Sequence, residues 1–309
     1  MKMLITGGAG YIGSSLVPEL LNNGHQIRVL DSLIFGQTPL LPYFINENFE
    51  FIKGDIRNAE TVKKAVEGMD VIIHLAAIVG APACKKDPKL TEEVNYQGTV
   101  NINEAREVSQ KIFYASTGSV YGKVENICTE DLTPKPLSSY GETKLRAEQA
   151  VMAKGNAIAY RFATAFGLSP RLRLDLLPND FVWNALKNRY LVVYDKHFKR
   201  TFVHVRDIVN AYKFGLANFD KMKNEVYNVG SEKMNKTKED IANMVREKLN
   251  FEILFVDKGI TDPDQRDYEV SYEKIRKHGF DTQITFEKGI NELVLGLQTI
   301  SITNPYSNV

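Results

Sequence analysis

The chain begins MKMLITGGAGYIG, residues 1–13, and this stretch decides the fold. Residues 2–6 are a mostly apolar run typical of a buried strand, and the glycines after it open a helical pattern of apolar residues at Tyr11, Ile12 and Leu16. Backbone N–H groups and the positive dipole end at a helix N-terminus attract anions. The order strand, glycine turn, helix therefore predicts a phosphate cradle.

The glycine spacing extends this prediction from a phosphate to a dinucleotide. Gly7, Gly10 and Gly13 fit the pattern G-x-x-G-x-x-G, and Gly8 with the last two fits G-x-G-x-x-G. Either pattern alone also describes an ordinary glycine-rich turn, so the dinucleotide interpretation needs an acidic residue about 20 positions further on. Asp31 supplies that residue at the end of the second predicted strand.

Composition narrows the class of protein. The 309 residues are enough for a large core and, we expect, for two lobes. With 39 basic and 38 acidic residues, the net charge of +1 provides no general attraction for nucleic acid or for an anionic membrane. Cys84 and Cys128 have no metal-ligand spacing, and a strand beginning at residue 2 leaves no room for a signal peptide, so a cytoplasmic protein is expected.

Strands and helices alternate after Asp31. The predicted strands are 26–30, 49–53, 69–75, 111–116 and 157–162, and the predicted helices between them are 58–67, 90–109 and 139–153. This alternation predicts an α/β Rossmann fold, a doubly wound parallel sheet covered by helices. We expect the cofactor-binding domain to span residues 1–167, and the chain to return to it near 201–230.

The alternation stops near Gly167. Residues 168–200 and 231–309 are expected to form a smaller, mixed α/β C-terminal substrate lobe. The elements predicted after Gly167, in this lobe and in the returning segment 201–230, are strands 191–194 and 226–229 and helices 181–187, 205–216, 238–249 and 286–297. In an open parallel sheet a ligand binds beyond the carboxyl ends of the strands, so the second lobe should close over that edge.

Three residues suggest acid/base chemistry at this edge. Thr117 follows the fifth strand, and Tyr140 and Lys144 lie four residues apart, on one face of the next predicted helix. An ammonium beside a phenol lowers the phenol pKa, so Tyr140 could take a proton from an alcohol while a nicotinamide takes the hydride. A chain rich in Tyr and Lys contains one such pair by chance, and only the placement gives it weight.

Short motifs along most of the chain resemble the extended short-chain dehydrogenase/reductases, specifically the NAD-dependent nucleotide-sugar epimerases and dehydratases. They are TGGAGYIGS (6–14), GDIR (54–57), HLAA (74–77), STGSVYG (116–122), YGETK (140–144), RTFVHVRDI (200–208) and YNVG (227–230). The resemblance implies NAD as cofactor. It implies cofactor contacts by Gly7, Gly10, Tyr11, Ile12, Asp31, Asp55, Ile56, Leu75, Ala76, Ala77, Tyr140 and Lys144, and catalysis by Thr117, Tyr140 and Lys144.

The resemblance also implies a nucleotide-sugar substrate, GDP- or UDP-linked. Its candidate contacts are Val79, Ser119, Thr164, Arg171, Arg173, Asn179, Arg200 and Arg266. Arg200 and Arg266 match positions that grip the substrate pyrophosphate, a task suited to arginine's paired donors. For Arg171, Arg173 and Asn179, a structural or surface ion-pair role is an equal alternative. We expect no metal, because His197 and His204 form no ligand pattern, and His74 should be a hydrogen-bonded core residue.

Departures from the family pattern narrow the reaction. Related 4,6-dehydratases carry an Asp-Glu pair directly after the threonine, where this chain has Gly118 and Ser119, so dehydration is disfavoured. Thr164 stands where many epimerases have asparagine. The rarer stretches GAPACKKDPK (80–89), SPRLRLDLLPNDF (169–181), HFKRTFVHVRD (197–207) and DPDQRDYEVS (262–271) resemble the GDP-heptose 4-dehydrogenases of capsule polysaccharide biosynthesis.

The favoured function at this point is therefore a GDP-heptose-type 4-dehydrogenase that oxidises C4 with tightly bound NAD. A UDP-glucose 4-epimerase-like enzyme is the alternative, and a non-catalytic NAD-binding protein is a third possibility that the intact acid/base residues disfavour. The resemblance also implies a homodimer formed through helices 90–109 and 139–153, without nucleic-acid or membrane partners.

Overall fold

The computed structural model describes residues 1–124, 127–256 and 269–300. Its strands are β1 (Lys2–Thr6), β2 (Gln26–Asp31), β3 (Phe49–Lys53), β4 (Val71–His74), β5 (Lys111–Thr117), β6 (Ala157–Phe162), β7 (Thr164–Phe166), β8 (Tyr190–Tyr194), β9 (Lys199–Arg200), β10 (Phe202–His204), β11 (Glu225–Val229), β12 (Lys236–Thr237) and β13 (Glu252–Val256). Seven of them form one sheet in the order β11-β6-β5-β4-β1-β2-β3, and every neighbouring pair is parallel. The predicted doubly wound Rossmann sheet is confirmed.

Helices cover both faces of this sheet and build the second lobe. They are α1 (Gly13–Asn22), α2 (Ala59–Val66), α3 (Ala81–Lys86), α4 (Pro88–Thr91), α5 (Gly98–Ala105), α6 (Ser139–Lys154), α7 (Leu177–Asn188), α8 (Val205–Ala217), α9 (Phe219–Met222), α10 (Lys238–Arg246), α11 (Glu273–Lys277) and α12 (Phe286–Gln298). No helix among the described residues is long and apolar enough to cross a membrane.

Successive side chains along each strand point to opposite faces of the sheet, and each face has its own hydrophobic core layer. In β1, Met3 and Ile5 pack into one hydrophobic cluster with α1 and α8, whereas Leu4 packs on the opposite face with residues of α2, α5 and α6. Both layers are fully buried, as expected for a parallel sheet covered by helices on each side. A third cluster, containing Phe166, Trp183 and Leu293, forms the core of the second lobe.

The second lobe differs most from expectation. Three two-stranded pairs, β10-β7, β12-β9 and β13-β8, were not predicted as sheets. The strands β7, β9, β10 and β12 have only two or three residues and carry no readable alternation. Strand β8 was predicted as 191–194, but its five-residue partner β13 was not predicted. Helix α7 begins at Leu177, four residues before the predicted start at 181, with Pro178 in its first turn, where proline fits a helix. Strand β11, predicted over 226–229, joins the central sheet beside β6.

Candidate active site

The carboxyl ends of the central strands open onto a cavity of about 310 Å³. All three predicted catalytic residues and all of the predicted cofactor residues line it. The latter are Gly7, Gly10, Tyr11, Ile12, Asp31, Asp55, Ile56, Leu75, Ala76, Ala77, Tyr140 and Lys144. The fold thus gathers at one edge residues that are up to 137 positions apart in the sequence, from Gly7 to Lys144.

The glycine turn leaves backbone where side chains would otherwise stand. Gly7 has a φ of 71°, and a Cβ added there would lie 2.7 Å from the backbone nitrogen of Ala76. A Cβ on Gly13 would lie 2.5 Å from the Cα of Gly8. Only glycine fits both positions, so the backbone of the turn that leads into α1 lies directly against the cavity. This shape and charge fit the pyrophosphate of a dinucleotide.

Asp31 lines the part of the cavity where the sequence predicts the adenosine ribose. Its two carboxylate oxygens accept hydrogen bonds from the backbone nitrogens of Ala9 at 2.9 Å and Leu33 at 2.8 Å. Burial raises the pKa of Asp31 above its ordinary value, against the lowering effect of these two N–H groups and of the Arg171 charge. The fixed carboxylate can accept from ribose hydroxyls and would repel a 2′-phosphate, which favours NAD over NADP.

The wall after β4 is held by an asparagine that the sequence analysis did not single out. Asn95 accepts a hydrogen bond from the backbone nitrogen of Ile78 at 2.7 Å and donates to its carbonyl at 2.9 Å. It projects from a π-helical turn, Glu92–Gln97, inside the region predicted as a single helix. The segment carrying Ala76, Ala77 and Val79 is thereby fixed against the cavity.

A glycine lets the turn after Thr117 and the first turn of the Tyr140 helix approach each other closely. The Thr117 hydroxyl donates to Ser119 Oγ and accepts from the Ser119 backbone nitrogen, both at 3.1 Å. Ser138 caps α6 by accepting from the Gly141 nitrogen at 3.2 Å, which puts Tyr140 in the first helical turn. A Cβ on Gly141 would lie 2.7 Å from the Ser119 carbonyl oxygen, so only glycine permits this approach.

Lys144 lies one helical turn further into the protein. It is 3% exposed, and its Nζ sits 4.2 Å from the centre of the Tyr114 ring. Burial lowers the pKa of Lys144 to about 7, although the nearby Glu148 carboxylate acts in the opposite direction. The ammonium is therefore able to lose its proton near neutral pH. Tyr114 was missed in the sequence, although β5 alternation places it on the same strand face as Ser116.

A buried ion pair between Arg161 and Glu148 anchors helix α6 to strand β6. Arg161 of β6 donates to both oxygens of Glu148, at 2.6 and 3.0 Å, and Ser116 donates to the same carboxylate at 2.5 Å. Arg161 also donates to the Tyr121 hydroxyl, which in turn donates to Asn228 of β11. The network ties α6 to strands β5, β6 and β11 and to the turn that carries Tyr121.

Breaking this pair should destabilise the fold. Glu148→Gln leaves the Arg161 charge buried without its counter-ion, and we expect it to lower the free energy of unfolding by about 3 kcal/mol. Urea unfolding compared with Glu142→Gln, an exposed carboxylate of the same helix, provides the matched control. An equal, small loss in both variants would contradict a structural role for the pair.

Only some of the predicted substrate residues line the cavity. Val79, Ser119, Thr164, Arg171 and Arg173 line the cavity. Arg200 instead lines a small recess beside Thr164, and Arg266 lies outside the described residues. Arg173 is paired with Asp175 of its own loop, as the ion-pair alternative predicted.

Asn179 does not reach the cavity. Its amide accepts from the Gly167 nitrogen at 3.0 Å and donates to the carbonyls of Gly167 and Arg173 at 3.2 and 2.9 Å. The residue is fully buried, so these backbone bonds account for its side chain. The structural alternative therefore describes Asn179, which shapes the loop before α7.

His74 is buried in strand β4 of the sheet. Both ring nitrogens of buried His74 have hydroxyl partners, Thr6 at 2.6 Å and Thr99 at 2.9 Å, and burial lowers the His74 pKa to about 3. The prediction of a hydrogen-bonded core histidine is confirmed. Within the described ranges, His, Cys, Asp and Glu form no group of three that could hold a metal ion.

Comparison with known proteins agrees with this geometry. The model of the NAD dependent epimerase/dehydratase family matches residues 3–230. This chain belongs to that family. A putative UDP-glucose 4-epimerase of Methanocaldococcus jannaschii is 30% identical to this chain over 244 residues, which cover 75% of this chain and 77% of the relative.

Two solved structures extend the likeness over almost the full chain. The UDP-glucose 4-epimerase of Thermus thermophilus in complex with NAD superposes with a TM-score of 0.83 at 26% identity, covering 96% of this chain and 99% of that one. The UDP-glucuronic acid 4-epimerase of Bacillus cereus, bound to UDP-glucuronic acid and NAD, gives 0.86 at 26% identity, with 97% and 99% covered. The protein of the present structure is therefore an enzyme that uses NAD and acts on a nucleotide sugar.

Proposed function

We propose that the enzyme is a UDP-sugar 4-epimerase. The observation that carries this proposal is the wall of the cavity around Thr117, Ser119, Tyr140 and Lys144, which offers hydroxyls, a phenol and an ammonium but no carboxylate. Asp31 and Asp55 are the acidic residues among the described cavity lining, and both belong to the predicted adenosine end. The site is thus equipped for proton transfer at a single sugar hydroxyl.

The residues divide the work of C4 oxidation and reduction. Tyr140 takes the proton of the C4 hydroxyl, since the Lys144 ammonium in the next turn favours the phenolate. Thr117, held by Ser119, hydrogen-bonds the same hydroxyl and orients it towards Tyr140. NAD, when bound, supplies the reversible removal of the C4 hydrogen with its electron pair. Tyr140 returns its proton when the alcohol is formed again.

Dehydration of the sugar needs groups that this wall lacks. Elimination across C5 and C6 requires one group to remove the C5 proton and another to protonate the leaving hydroxyl. Gly118 and Ser119 offer neither an acid nor a base with a suitable pKa at the positions where related dehydratases carry acidic residues. The geometry therefore favours a reaction that ends at C4.

The UDP linkage rests on the relatives. The Methanocaldococcus, Thermus and Bacillus proteins are named for UDP-linked sugars, which supports the alternative function from the sequence analysis over the GDP-heptose 4-dehydrogenase. A UDP-glucuronic acid decarboxylase of Xenopus tropicalis is 28% identical over 95% of this chain. Decarboxylation after C4 oxidation is therefore a second candidate.

A substrate panel tests the proposal. The purified enzyme is incubated with UDP-glucose, UDP-glucuronic acid and a GDP-hexose, with and without a keto acid as oxidant, and the products are followed by NMR. We expect a UDP-sugar inverted at C4 without added oxidant. A ketone that accumulates only with the keto acid would identify a dehydrogenase, and release of CO2 from UDP-glucuronic acid would identify a decarboxylase.

The domain boundaries and the homodimer are further predictions from the sequence. The domain division at residue 167, with the chain returning near 201–230, is supported by the separate hydrophobic clusters of the sheet and of the second lobe. Val270, Tyr272, Ile275 and Phe280 depart from it, because they were predicted in the second lobe and pack in the cluster of the sheet. The homodimer would use the outer faces of α5 and α6, and light scattering of the purified enzyme measures it directly.

A further inference from the structure

A loop of the second lobe docks on the helix that forms the phosphate cradle. The Tyr11 hydroxyl donates to the Gly167 carbonyl at 2.8 Å, and the Ser169 hydroxyl donates back to the Tyr11 carbonyl at 2.6 Å. Ser14 Oγ lies 2.9 Å from Ser169 Oγ and accepts from the backbone nitrogen of Arg171 at 3.1 Å. These bonds hold the loop, and with it Arg171, against the N-terminal turn of α1.

The Arg171 side chain lies at the ribose end of the cavity. The residue is 3% exposed and lines the cavity, and its guanidinium carbon is 4.7 Å from the centre of the Phe35 ring. Phe35 belongs to the segment that directly follows Asp31, and the Arg171 charge acts on the Asp31 carboxylate. Arg171 is thus grouped with the cradle and with Asp31, whereas the sequence predicted for it either a substrate contact or a structural ion pair.

The neighbouring Arg173 differs in its surroundings. It lines the same cavity, but its guanidinium is paired with Asp175, two residues along the same loop. Arg171 instead reaches across to the Rossmann part of the chain, where it contacts the exposed ring of Phe35. The Arg171 charge acts on Asp31, whereas the Arg173 charge is neutralised locally by Asp175 and acts on Tyr11.

We propose that Arg171 is a cofactor-binding residue, which donates to a phosphate oxygen of the adenosine half of NAD and, through Phe35, fastens the 32–37 segment over it. A guanidinium matches phosphate oxygens with paired donors, and its charge is permanent. Its contact with an aromatic ring adds a second attachment across the cavity mouth. The second lobe would thereby help to retain the cofactor as well as to hold the sugar nucleotide.

Two measurements distinguish a cofactor contact of Arg171 from a substrate contact: the rate of NAD exchange and the affinity for UDP. In the NAD-bound enzyme, we expect Arg171→Ala to accelerate exchange of bound NAD for radiolabelled NAD about tenfold, as befits the loss of one charge-assisted hydrogen bond. Affinity for UDP, measured by calorimetry on the same NAD-bound protein, should change less than about twofold, as for a residue without nucleotide-sugar contact. Arg171→Lys should lie between the variant and the wild type.

Arg173→Ala is the matched control, because it removes the same charge from the same loop and cavity. We expect it to leave NAD exchange unchanged. If Arg171→Ala weakens UDP binding while NAD exchange stays at the wild-type rate, or changes neither, the proposal is overturned. Should Arg171→Ala fail to fold, Arg171→Lys and Phe35→Ala carry the test, both with faster exchange expected. Neither NAD exchange nor UDP binding requires turnover. If the UDP-sugar proposal is wrong, the wild-type enzyme will not bind UDP, whereas the NAD exchange rates will still test the role of Arg171.

Discussion

Tyr140→Phe lowers kcat for C4 inversion by about 10³-fold, because the variant lacks the hydroxyl that takes and returns the substrate proton. The ring remains, so the packing of the first turn of α6 against Ser119 should be kept. Steady-state kinetics on the UDP-sugar identified by the substrate panel measure kcat, and the NAD content of the purified variant is determined in parallel. We expect wild-type NAD content.

Tyr190→Phe is the control for this substitution, since Tyr190 is 50% exposed on β8 of the second lobe and outside the cavity lining. It should have wild-type kcat. Near-wild-type turnover by Tyr140→Phe would mean that another group performs the proton transfer. Loss of NAD from the variant would instead show that Tyr140 acts mainly in cofactor binding.

Lys144→Met should lower activity and raise stability together. The buried ammonium has a pKa of about 7 in the folded chain, against 10.5 for an ordinary lysine. Between these values the unfolded chain binds more protons than the folded chain, so this lysine makes stability rise with pH across that window. Methionine is similar in size and carries no charge, and at pH 7 it removes the cost of burying the ammonium.

Urea unfolding of the cofactor-free protein at pH 6.5 and pH 10 measures this effect. The variant should exceed the wild type in stability at pH 6.5, and the difference should shrink at pH 10, while kcat falls by about 10²-fold or more through loss of the phenolate's partner. Lys63→Met, on the exposed face of α2, should show neither change. A less stable Lys144→Met protein at pH 6.5 would contradict the burial cost inferred for Lys144.

Sequence patterns revealed the parts of the site whose geometry is local. The β1 strand, the glycine turn and α1 are consecutive, so their order predicts the cradle that Gly7 and Gly13 form, and Asp31 at the end of β2 supports a dinucleotide there. Tyr140 and Lys144 are one helical turn apart, and helical periodicity is enough to place them on one face. The carboxyl-edge rule for parallel sheets then brings Asp31 and Thr117 to the same cavity.

The remaining features depend on contacts distant in sequence. Asn179 and Arg171 stand close together in the chain, yet one satisfies the backbone of Gly167 and the other reaches the cavity beside Phe35. Their different roles follow from how the loop docks on Ser14, a contact over 157 positions that no local pattern encodes. Asn95 was also unforeseen, because a π-helical turn inside a helix leaves no clear periodic signal.

The fate of the C4 hydrogen tests the central claim most directly. UDP-glucose labelled with deuterium at C4 is incubated with the enzyme in ordinary water, and the product is analysed by mass spectrometry and NMR. If a single site oxidises and then reduces C4, the 4-epimer will carry the deuterium at C4 and none will appear in the solvent. An epimer that has lost the label, or a labelled substrate that yields only ketone, would contradict the account.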